Sequence, residues 1–427
     1  MKKIVLVLLA LFIAVPMVSD AGSVTSRWDM TIGGFVKFDA GWASQAQGGD
    51  YMFASPGSIT GNYNVTDQYG NSFMAAGETR LNFAIKGPDG WGAKTSAFIE
   101  GDFRQGGAYE AFRLRHAFMK FDWGSTNLVV GQTWQTWGLM PSFNLLGVNE
   151  LGPMNKGDRL PQIMFKTTFA KDWTIAYGLI SAYQPQLAGG AQAVRGVAST
   201  TSQQRIYSYP LFQTELGYSS DACGKIGPWK MQFALGGFMG TNKNVKRTAG
   251  AGTRWEDDDT TVWGAAFKAY IPIIPEKKGN KAGALAITGS AFAAQGPNAF
   301  FGPWSYDAYV SGVAEANGSF VARNGTVAGG WGEITYYFLN NVFINGLYGY
   351  ARYNWSDAIR QGAVVNATDI QNVEHMIVNI MYDVSPAIRM GIGWTHMQSG
   401  YANFQAAGAG GKSGSLDVGR VAAWYFF

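Results

Sequence analysis

Eight basic side chains stand at polar positions of segments in which every second residue is apolar or small. They are Lys37, Arg80, Lys86, Lys94, Arg113, Arg115, Arg389 and Arg420. Arginine keeps its charge at physiological pH, so several of these groups on one wall would attract anions. Carboxylates occupy the same faces, at Asp39, Glu78, Glu100, Asp102, Glu215, Glu333 and Asp383. A transverse field between acidic and basic groups is therefore an alternative to a net preference for anions.

Other residues that could do chemistry are few. The sequence has three histidines, His116, His375 and His396, which are far apart in sequence. A hydrolase would need a nucleophile or an activated water beside an oriented histidine, and no segment has that signature. The single cysteine, Cys223, excludes a disulfide framework and a cysteine metal cage, and we predict that it lies in a turn from Ser220 to Pro228. We expect no catalytic site, metal site or cofactor.

Composition narrows the class of protein. The 427 residues are 47% hydrophobic and 15% charged, a balance that excludes a disordered chain. The sequence has 57 glycines and is 15% aromatic, which is typical of β-structure with many tight turns. A formal net charge of +4 is too weak and too dispersed to indicate a nucleic-acid partner.

The first 21 residues have the pattern of a secretory signal peptide. Lys2 and Lys3 precede an apolar stretch from Ile4 to Val18, and Ser19-Asp20-Ala21 offers small residues before a cleavage site. The stretch is shorter than the about 20 residues that a membrane-spanning helix needs. We therefore expect residues 22–427 to be exported as one domain, and this part has no apolar run long enough for a spanning helix.

Alternation of apolar and polar residues runs through the exported chain. From Trp28 to Trp42 the even positions are apolar or small, while Lys37 and Asp39 are at odd positions. Because hydrocarbon satisfies no backbone hydrogen bonds, a chain without apolar helices can span a membrane only as a closed β-barrel. We predict an all-β transmembrane antiparallel barrel. Its sixteen strands lie near residues 28–43, 77–87, 91–104, 110–123, 126–137, 160–170, 173–183, 206–219, 229–240, 260–271, 282–295, 328–339, 342–355, 372–384, 387–398 and 415–427.

The connections between these segments alternate in length. Short turns such as Lys171-Asp172 separate connections at residues 44–76, 105–109, 138–159, 184–205, 241–259, 296–327, 356–371 and 399–414. All of these except 105–109 are long. Long external loops and short turns on the opposite rim are typical of a bacterial outer-membrane barrel. The acidic run Glu256 to Asp259 lacks the spacing of an EF-hand and is predicted to be a solvated external loop.

The last segment supports the same prediction. Val421, Tyr425 and Phe427 would face lipid, while Arg420 and Trp424 face inward. A charge facing lipid at midplane would cost about 2 to 4 kcal/mol, so the basic residues are expected to point into water. Tryptophans near strand ends are expected in the interfacial girdles, at Trp28, Trp42, Trp123, Trp137, Trp173 and Trp229.

Four stretches resemble a known family. Glu78-Thr-Arg-Leu-Asn-Phe, Phe98-Ile-Glu-Gly-Asp-Phe, Phe112-Arg-Leu-Arg-His-Ala-Phe and Val130-Gly-Gln-Thr-Trp are similar to sequences of trimeric sixteen-stranded porins of Gram-negative bacteria, most closely the DcaP-like porins. The match is clearest from about residue 28 to 165. The resemblance implies a homotrimer with one water-filled pore in each subunit.

The same resemblance implies that the third external loop folds into the pore and narrows it. By the strand assignment, this loop runs from Gly138 to Arg159. Its charged residues are Glu150, Lys156, Asp158 and Arg159. An ordinary surface loop is the alternative.

Together these observations predict an outer-membrane porin for passive diffusion of small hydrophilic solutes, with a weak preference for carboxylate-type anions. Outer-membrane lipid and lipopolysaccharide are the expected surroundings, and we expect neither a nucleic-acid partner nor an enzymatic activity. The alternative is a non-conducting barrel that acts as an adhesin or as a sleeve for a partner protein.

Overall fold

A computed structural model describes residues 29–45, 70–105, 111–136, 142, 144–147, 151, 154, 159–181, 210–248, 254–295, 309–314, 320–324, 326–354, 370–401 and 413–427. These residues form nineteen β-strands. The strands are β1 (Asp29–Ala43), β2 (Asn71–Ala75), β3 (Arg80–Lys86), β4 (Lys94–Gln105), β5 (Ala111–Asp122), β6 (Thr126–Trp134), β7 (Arg159–Ala170), β8 (Trp173–Ile180), β9 (Leu211–Ile226), β10 (Trp229–Thr248), β11 (Arg254–Ile274), β12 (Leu285–Gln295), β13 (Tyr309–Ala314), β14 (Phe320–Asn324), β15 (Thr326–Tyr337), β16 (Val342–Asn354), β17 (Ile370–Ser385), β18 (Ile388–Tyr401) and β19 (Ser413–Phe426). The described residues include no helix long and apolar enough to cross a membrane.

The sheet closes on itself. β1 pairs with β19 over Phe35↔Phe426 to Ala43↔Val418, and with β3 over Asp29↔Lys86 to Phe35↔Arg80. Each further strand of the ring pairs antiparallel with its neighbours, and β12 pairs directly with β15. In the described part of the chain the ring therefore contains sixteen strands, which are β1, β3 to β12 and β15 to β19. The predicted number of strands and the predicted antiparallel barrel are confirmed.

Side chains alternate between the two faces of this barrel. On β1, Val36 and Phe38 are 51% and 47% exposed, whereas Lys37 and Asp39 between and beside them are each 2% exposed. On β19, Val421 and Tyr425 are exposed on the outer face and Arg420 is buried on the inner face. Because the side-chain period of a strand is two residues, the apolar set faces outward and the charged set faces the lumen.

Three strands lie in segments that the sequence predicted to be loops. β2 continues the line of β3 along β1, over Asp39↔Ala75 to Ala43↔Asn71, within the predicted loop 44–76. β13 and β14 form a hairpin within the predicted loop 296–327, and β14 meets β10 at Arg247↔Phe320. The prediction of a loop at residues 241–259 was also wrong over most of that range. β10 and β11 extend beyond the ring and pair with each other as far as Thr248↔Arg254. The acidic run from Glu256 to Asp259 therefore belongs to β11.

Short connections join strands at one rim of the barrel, which we call the turn rim. Only residues 227–228 separate β9 from β10, and only residues 386–387 separate β17 from β18. The connections at the opposite rim are longer, and most of them lie outside the described residues, as does the predicted signal peptide at residues 1–21. The predicted alternation of short and long connections agrees with the strand bounds.

Two predictions about single residues were wrong. Cys223 lies in β9 and not in a turn, because the register with β10 jumps from Ser220 to Lys225 and leaves residues 221–224 as a bulge. Gly224 has φ +71° there, and a Cβ on it would lie 2.6 Å from Pro275. The second wrong prediction placed Trp229 in an interfacial girdle. Its side chain instead packs against the inward-facing apolar cluster.

The girdle prediction agrees with the structure at three other tryptophans. They are Trp42, Trp123 and Trp173, all exposed. Trp28 and Trp137 lie outside the described residues.

The alternation predicts opposite effects of a new charge on the two faces. We expect Val36→Lys to lower the free energy of unfolding of the protein in lipid vesicles by about 2 to 4 kcal/mol, because the ammonium would face hydrocarbon near the middle of β1. Urea titration of vesicle-embedded protein measures this free energy. The matched control is Ala84→Lys on the inner face of β3, next to Lys86 and Asn82, for which we expect little change. Equal losses for both variants would contradict the assignment of the faces.

Candidate functional site

The inner face of five strands carries a band of charged residues that we call the charged wall. The alternation of each strand brings its members to one face, and the register places them side by side, with Arg80 opposite Asp102 and Asp102 opposite Arg113. The members are Lys37, Asp39, Glu78, Arg80, Glu100, Asp102, Arg104, Arg113, Arg115 and Arg420. β1, β3, β4, β5 and β19 supply these residues, and Glu78 lies just before β3.

Arginine and carboxylate groups alternate within this wall. Arg113 binds Asp102 through two parallel hydrogen bonds, from Nε to Oδ1 at 2.9 Å and from Nη2 to Oδ2 at 2.6 Å. Arg115 donates to the same Asp102 at 2.7 Å and to Glu100 at 2.7 Å. Arg104 donates to Glu78 at 3.4 Å. Paired charges of this kind avoid the large cost of a buried ion without a partner.

A β-bulge makes this arrangement possible on β5. The register with β4 shifts between Glu100, which faces His116, and Gly101, which faces Leu114. Arg115 is the extra residue, so Arg115 and His116 are both buried on the inner side despite being neighbours in sequence. His116 there accepts or donates a hydrogen bond with Thr133 at 3.0 Å.

Positive charge is in excess within the charged wall. Its members comprise six Lys or Arg residues and four carboxylates. Arg80 is the least engaged cation, because its Nη1 is 4.0 Å from Glu100 and its Nε has no hydrogen-bond partner among the described residues. The side chains of Arg80 and Arg113 keep 22% and 25% of their surface accessible, so water reaches this side of the lumen.

Described residues of the segment between β6 and β7 contact strands on other sides of the lumen. Ser142 and Asn144 both donate to the carboxylate of Glu333 on β15, the Asn144 bond being 2.9 Å long. Asn379 on β17 donates to the carbonyl of Asn144 at 2.6 Å. At the start of the segment, Lys268 donates to the carbonyl of Thr136 at 2.8 Å. The prediction that the third loop folds into the barrel is therefore confirmed.

Apolar contacts hold the same segment against the inner wall. Leu146 is buried in a cluster with Phe343, Met381 and Trp424. It occupies the space in front of Gly391, where a Cβ would lie 2.5 Å from its Cδ2. Further along, Leu151 and Met154 join the largest buried apolar cluster, to which β7 to β12 and β15 to β17 contribute. These described loop residues thus pack on the apolar part of the inner wall.

Lys37 connects this loop with the charged wall. Its ammonium donates to the carbonyl of Leu146 and to Glu78, and it lies 3.1 Å from Asp39. The ring centroid of Trp424 is 5.1 Å from the same nitrogen. Lys37 therefore points into the barrel as the alternation predicts, but its charge is used to hold the loop.

The structure separates the predicted site residues into groups. Five of the eight basic residues belong to the charged wall, namely Lys37, Arg80, Arg113, Arg115 and Arg420. The others lie at the turn rim: Lys86 ends β3, Lys94 begins β4, and Arg389 is paired with Asp383 near the turn between β17 and β18. A role for any of them in conduction stays a prediction.

Of the four predicted constriction residues, Arg159 is described, and Glu150, Lys156 and Asp158 lie outside the described residues. Arg159 begins β7 and places its guanidinium 4.5 Å from the ring centroid of Trp134.

Two contributors to the site, Arg104 and Asn144, are not among the residues predicted from the sequence. Arg104 follows Glu100 and Asp102 with the same period of two, so the alternation of β4 was sufficient to find it. Asn144 had no such signal, because a loop has no period that indicates which wall it will meet. Within the described ranges, no group of three or more His, Cys, Asp or Glu side chains could hold a metal ion.

Solved structures with the same architecture are outer-membrane porins and channels. The outer membrane channel DcaP of Acinetobacter baumannii matches with a TM-score of 0.68 and 18% identity, over 95% of this chain and 99% of that chain. An anion-selective porin from Comamonas acidovorans matches with a TM-score of 0.54 and 11% identity, over 94% and 100%. The trimer form of OmpT from Vibrio cholerae matches with a TM-score of 0.50 and 10% identity, over 94% and 100%.

No protein-family profile and no curated protein matches the sequence. The structural likeness nevertheless confirms the predicted fold, which is that of the Gram-negative porins.

The docking of the loop predicts a specific crosslink. In Cys223→Ser protein, we expect Leu146→Cys combined with Gly391→Cys to form a disulfide under mild oxidation, because these positions are in contact. Mobility on a non-reducing denaturing gel measures the yield. Adding Lys37→Met should slow the reaction severalfold, since the tether to the Leu146 carbonyl is lost.

The control pairs Leu146→Cys with Ala84→Cys on β3, for which we expect no crosslink. A similar yield from both pairs would show that the loop does not dock at β18.

Proposed function

We propose that this protein is a porin of the bacterial outer membrane that lets small hydrophilic solutes diffuse through a water-filled lumen, with a weak preference for anions of the carboxylate type. The observation that carries the proposal is the charged wall inside a closed barrel, with six cations and four carboxylates. The porin fold supports the same reading. The remaining partly accessible surface of Arg80 and Arg113 gives solutes a polar side along which to pass.

Charge balance explains why the preference is for anions and why it is weak. Fixed cations in a narrow lumen with low-dielectric walls raise the local concentration of anions. Four carboxylates of the wall cancel most of this field, which leaves an excess of two positive charges within the set. One of the similar structures is described as an anion-selective porin, which supports the sign of the proposed preference.

The geometry of the arginine side chain supports a preference for anions of the carboxylate type. A guanidinium presents parallel donors that match the two oxygens of a carboxylate. Arg113 uses this geometry with Asp102 in the wall itself. The side chain of Arg80 is 22% accessible and its Nη1 is 4.0 Å from Glu100, so its guanidinium can meet a passing carboxylate.

We further propose that the protein is a homotrimer surrounded by outer-membrane lipid and lipopolysaccharide. One similar structure, OmpT, is described as a trimer form. The exposed apolar side chains on the outer face, such as Val36, Phe38 and Tyr425, suit contact with hydrocarbon. Export through the signal peptide at residues 1–21 belongs to the same proposal.

Planar-bilayer recording tests the proposal. Stepwise conductance that rises in groups of three is expected for a trimeric porin, and the reversal potential in a salt gradient should have the sign of weak anion preference. If the inserted protein gives no conductance steps, the result would instead favour a non-conducting barrel that acts as an adhesin or as a sleeve for a partner protein. A reversal potential of the opposite sign would reject the anion preference alone.

The excess charge predicts the effect of two substitutions. Arg80→Gln combined with Arg104→Gln removes two cations, which equals the excess of the charged wall. We therefore expect the anion preference to vanish and the reversal potential to move close to zero, while the channel still conducts. The control is Lys171→Gln combined with Lys225→Gln at the turn rim, where water and salt screen the charge. An unchanged reversal potential in the double arginine variant would remove the charged wall from the proposed mechanism.

A further inference from the structure

The connection between β11 and β12 carries an unusual set of lysines at the turn rim. We call Lys225, Lys277, Lys278 and Lys281 the lysine patch; Lys225 belongs to the adjacent end of β9. The two segments are joined because the backbone N–H of Glu276 donates to the carbonyl of Lys225 at 2.9 Å. Lys225, Lys277 and Lys278 are exposed.

The carboxylate within this patch is used by the backbone. Glu276 accepts a hydrogen bond from the N–H of Gly227 at 2.6 Å. Its charge still cancels part of the field, but four lysines against one glutamate leave the patch strongly positive. Three other turns at this rim are balanced: Lys120 pairs with Asp122 at 2.7 Å, Lys171 precedes Asp172, and Arg389 is bound by Asp383.

Two exposed isoleucines adjoin the lysines. The register between β11 and β12 shifts between Pro272 and Ile274, so Ile273 is an extra residue. Ile273 and Ile274 are 49% and 44% exposed, and the lysines begin three residues later at Lys277. An apolar pair within a few residues of several cations is the arrangement that suits the boundary between hydrocarbon and lipid headgroups.

Backbone conformation at the tip of the turn adds an independent observation. Lys278 has φ 53°, a left-handed conformation in which glycine or asparagine is much less strained. Gly279 follows with φ 83°, and Lys277 pairs with Asn280 across the turn. A lysine therefore occupies a position where its conformation is unfavourable, which indicates that its charge has a use beyond folding.

We propose that the lysine patch binds the phosphate headgroup of an anionic phospholipid in the leaflet at the turn rim, with Ile273 and Ile274 contacting its acyl chains. This inference rests on the proposed function only in that the barrel spans the outer membrane with its turn rim on the periplasmic side. Charge complementarity selects the lipid, because a zwitterionic headgroup would leave the excess of positive charge uncompensated. A lysine near an anionic lipid surface contributes about a fivefold preference.

Native mass spectrometry of the whole protein tests the proposal, with phosphatidylglycerol and phosphatidylethanolamine supplied in equal amounts as probes. We expect the unmodified protein to retain phosphatidylglycerol preferentially, and Lys277→Gln combined with Lys278→Gln to lower that preference by about tenfold or more. The control, Lys120→Gln combined with Lys171→Gln, removes two lysines from balanced turns and should leave the preference unchanged. Equal retention of both lipids by the unmodified protein, or equal losses in both double variants, would overturn the proposal.

A second variant separates lipid binding from folding. Lys278→Gly relieves the left-handed strain, so thermal unfolding should occur at the same or a higher temperature, while the preference for phosphatidylglycerol falls about fivefold. A stabilised variant that keeps the full preference would show that Lys278 does not contact lipid. Tighter binding to soluble peptidoglycan fragments than to phosphatidylglycerol would also overturn the proposal.

Conductance provides a readout that is independent of lipid binding. We expect the lysine variants to conduct like the unmodified protein. A silent channel that still selects phosphatidylglycerol would reject the proposed function only, and a conducting channel without lipid selection would reject only the lysine patch.

Discussion

Backbone hydrogen bonding in an environment without water is the constraint on which the rest of this structure depends. Hydrocarbon offers no partner for an N–H or C=O, and an unsatisfied group costs several kcal/mol. Pairing of β1 with both β19 and β3 removes the edges that an open sheet would expose. Once the sheet is closed, the period of two residues assigns each side chain to lipid or to the lumen. The charged wall is a direct consequence, since charged side chains on the outer face would be exposed to hydrocarbon.

The interior is divided between two kinds of surface. β7 to β12 and β15 to β17 contribute inward-facing apolar residues such as Phe292, Trp331 and Leu347, which pack with the loop residues Leu151 and Met154. β1, β3, β4, β5 and β19 contribute the charged wall. The described loop residues pack mainly against the apolar part and meet the charged wall at Lys37, while Arg80 and Arg113 keep part of their surface accessible to water. This division links the fold to the proposed preference for anions.

Charge has three different uses in the molecule. In the wall, Arg115 and Arg113 share Asp102, so that each ion has a partner at hydrogen-bond distance. Lys37 is buried and its ammonium holds the loop through the Leu146 carbonyl. At the turn rim, Lys277 and Lys278 are exposed beside apolar isoleucines. Burial decides among these uses, since salt screens the fields of exposed charges much more than those of buried charges.

Local pattern was enough to predict the barrel, because the alternation of a strand depends only on its own residues. It identified the sixteen strands of the ring and the inward direction of Lys37, Arg80 and Arg420. The same pattern did not distinguish a lysine that lines the lumen from one that holds a loop. Contacts between distant residues, such as Asn144 with Glu333, were decided by the closed barrel, which brings β6 and β15 to opposite sides of one lumen. Loop conformation has no periodic signal, and therefore only the tertiary structure could determine it.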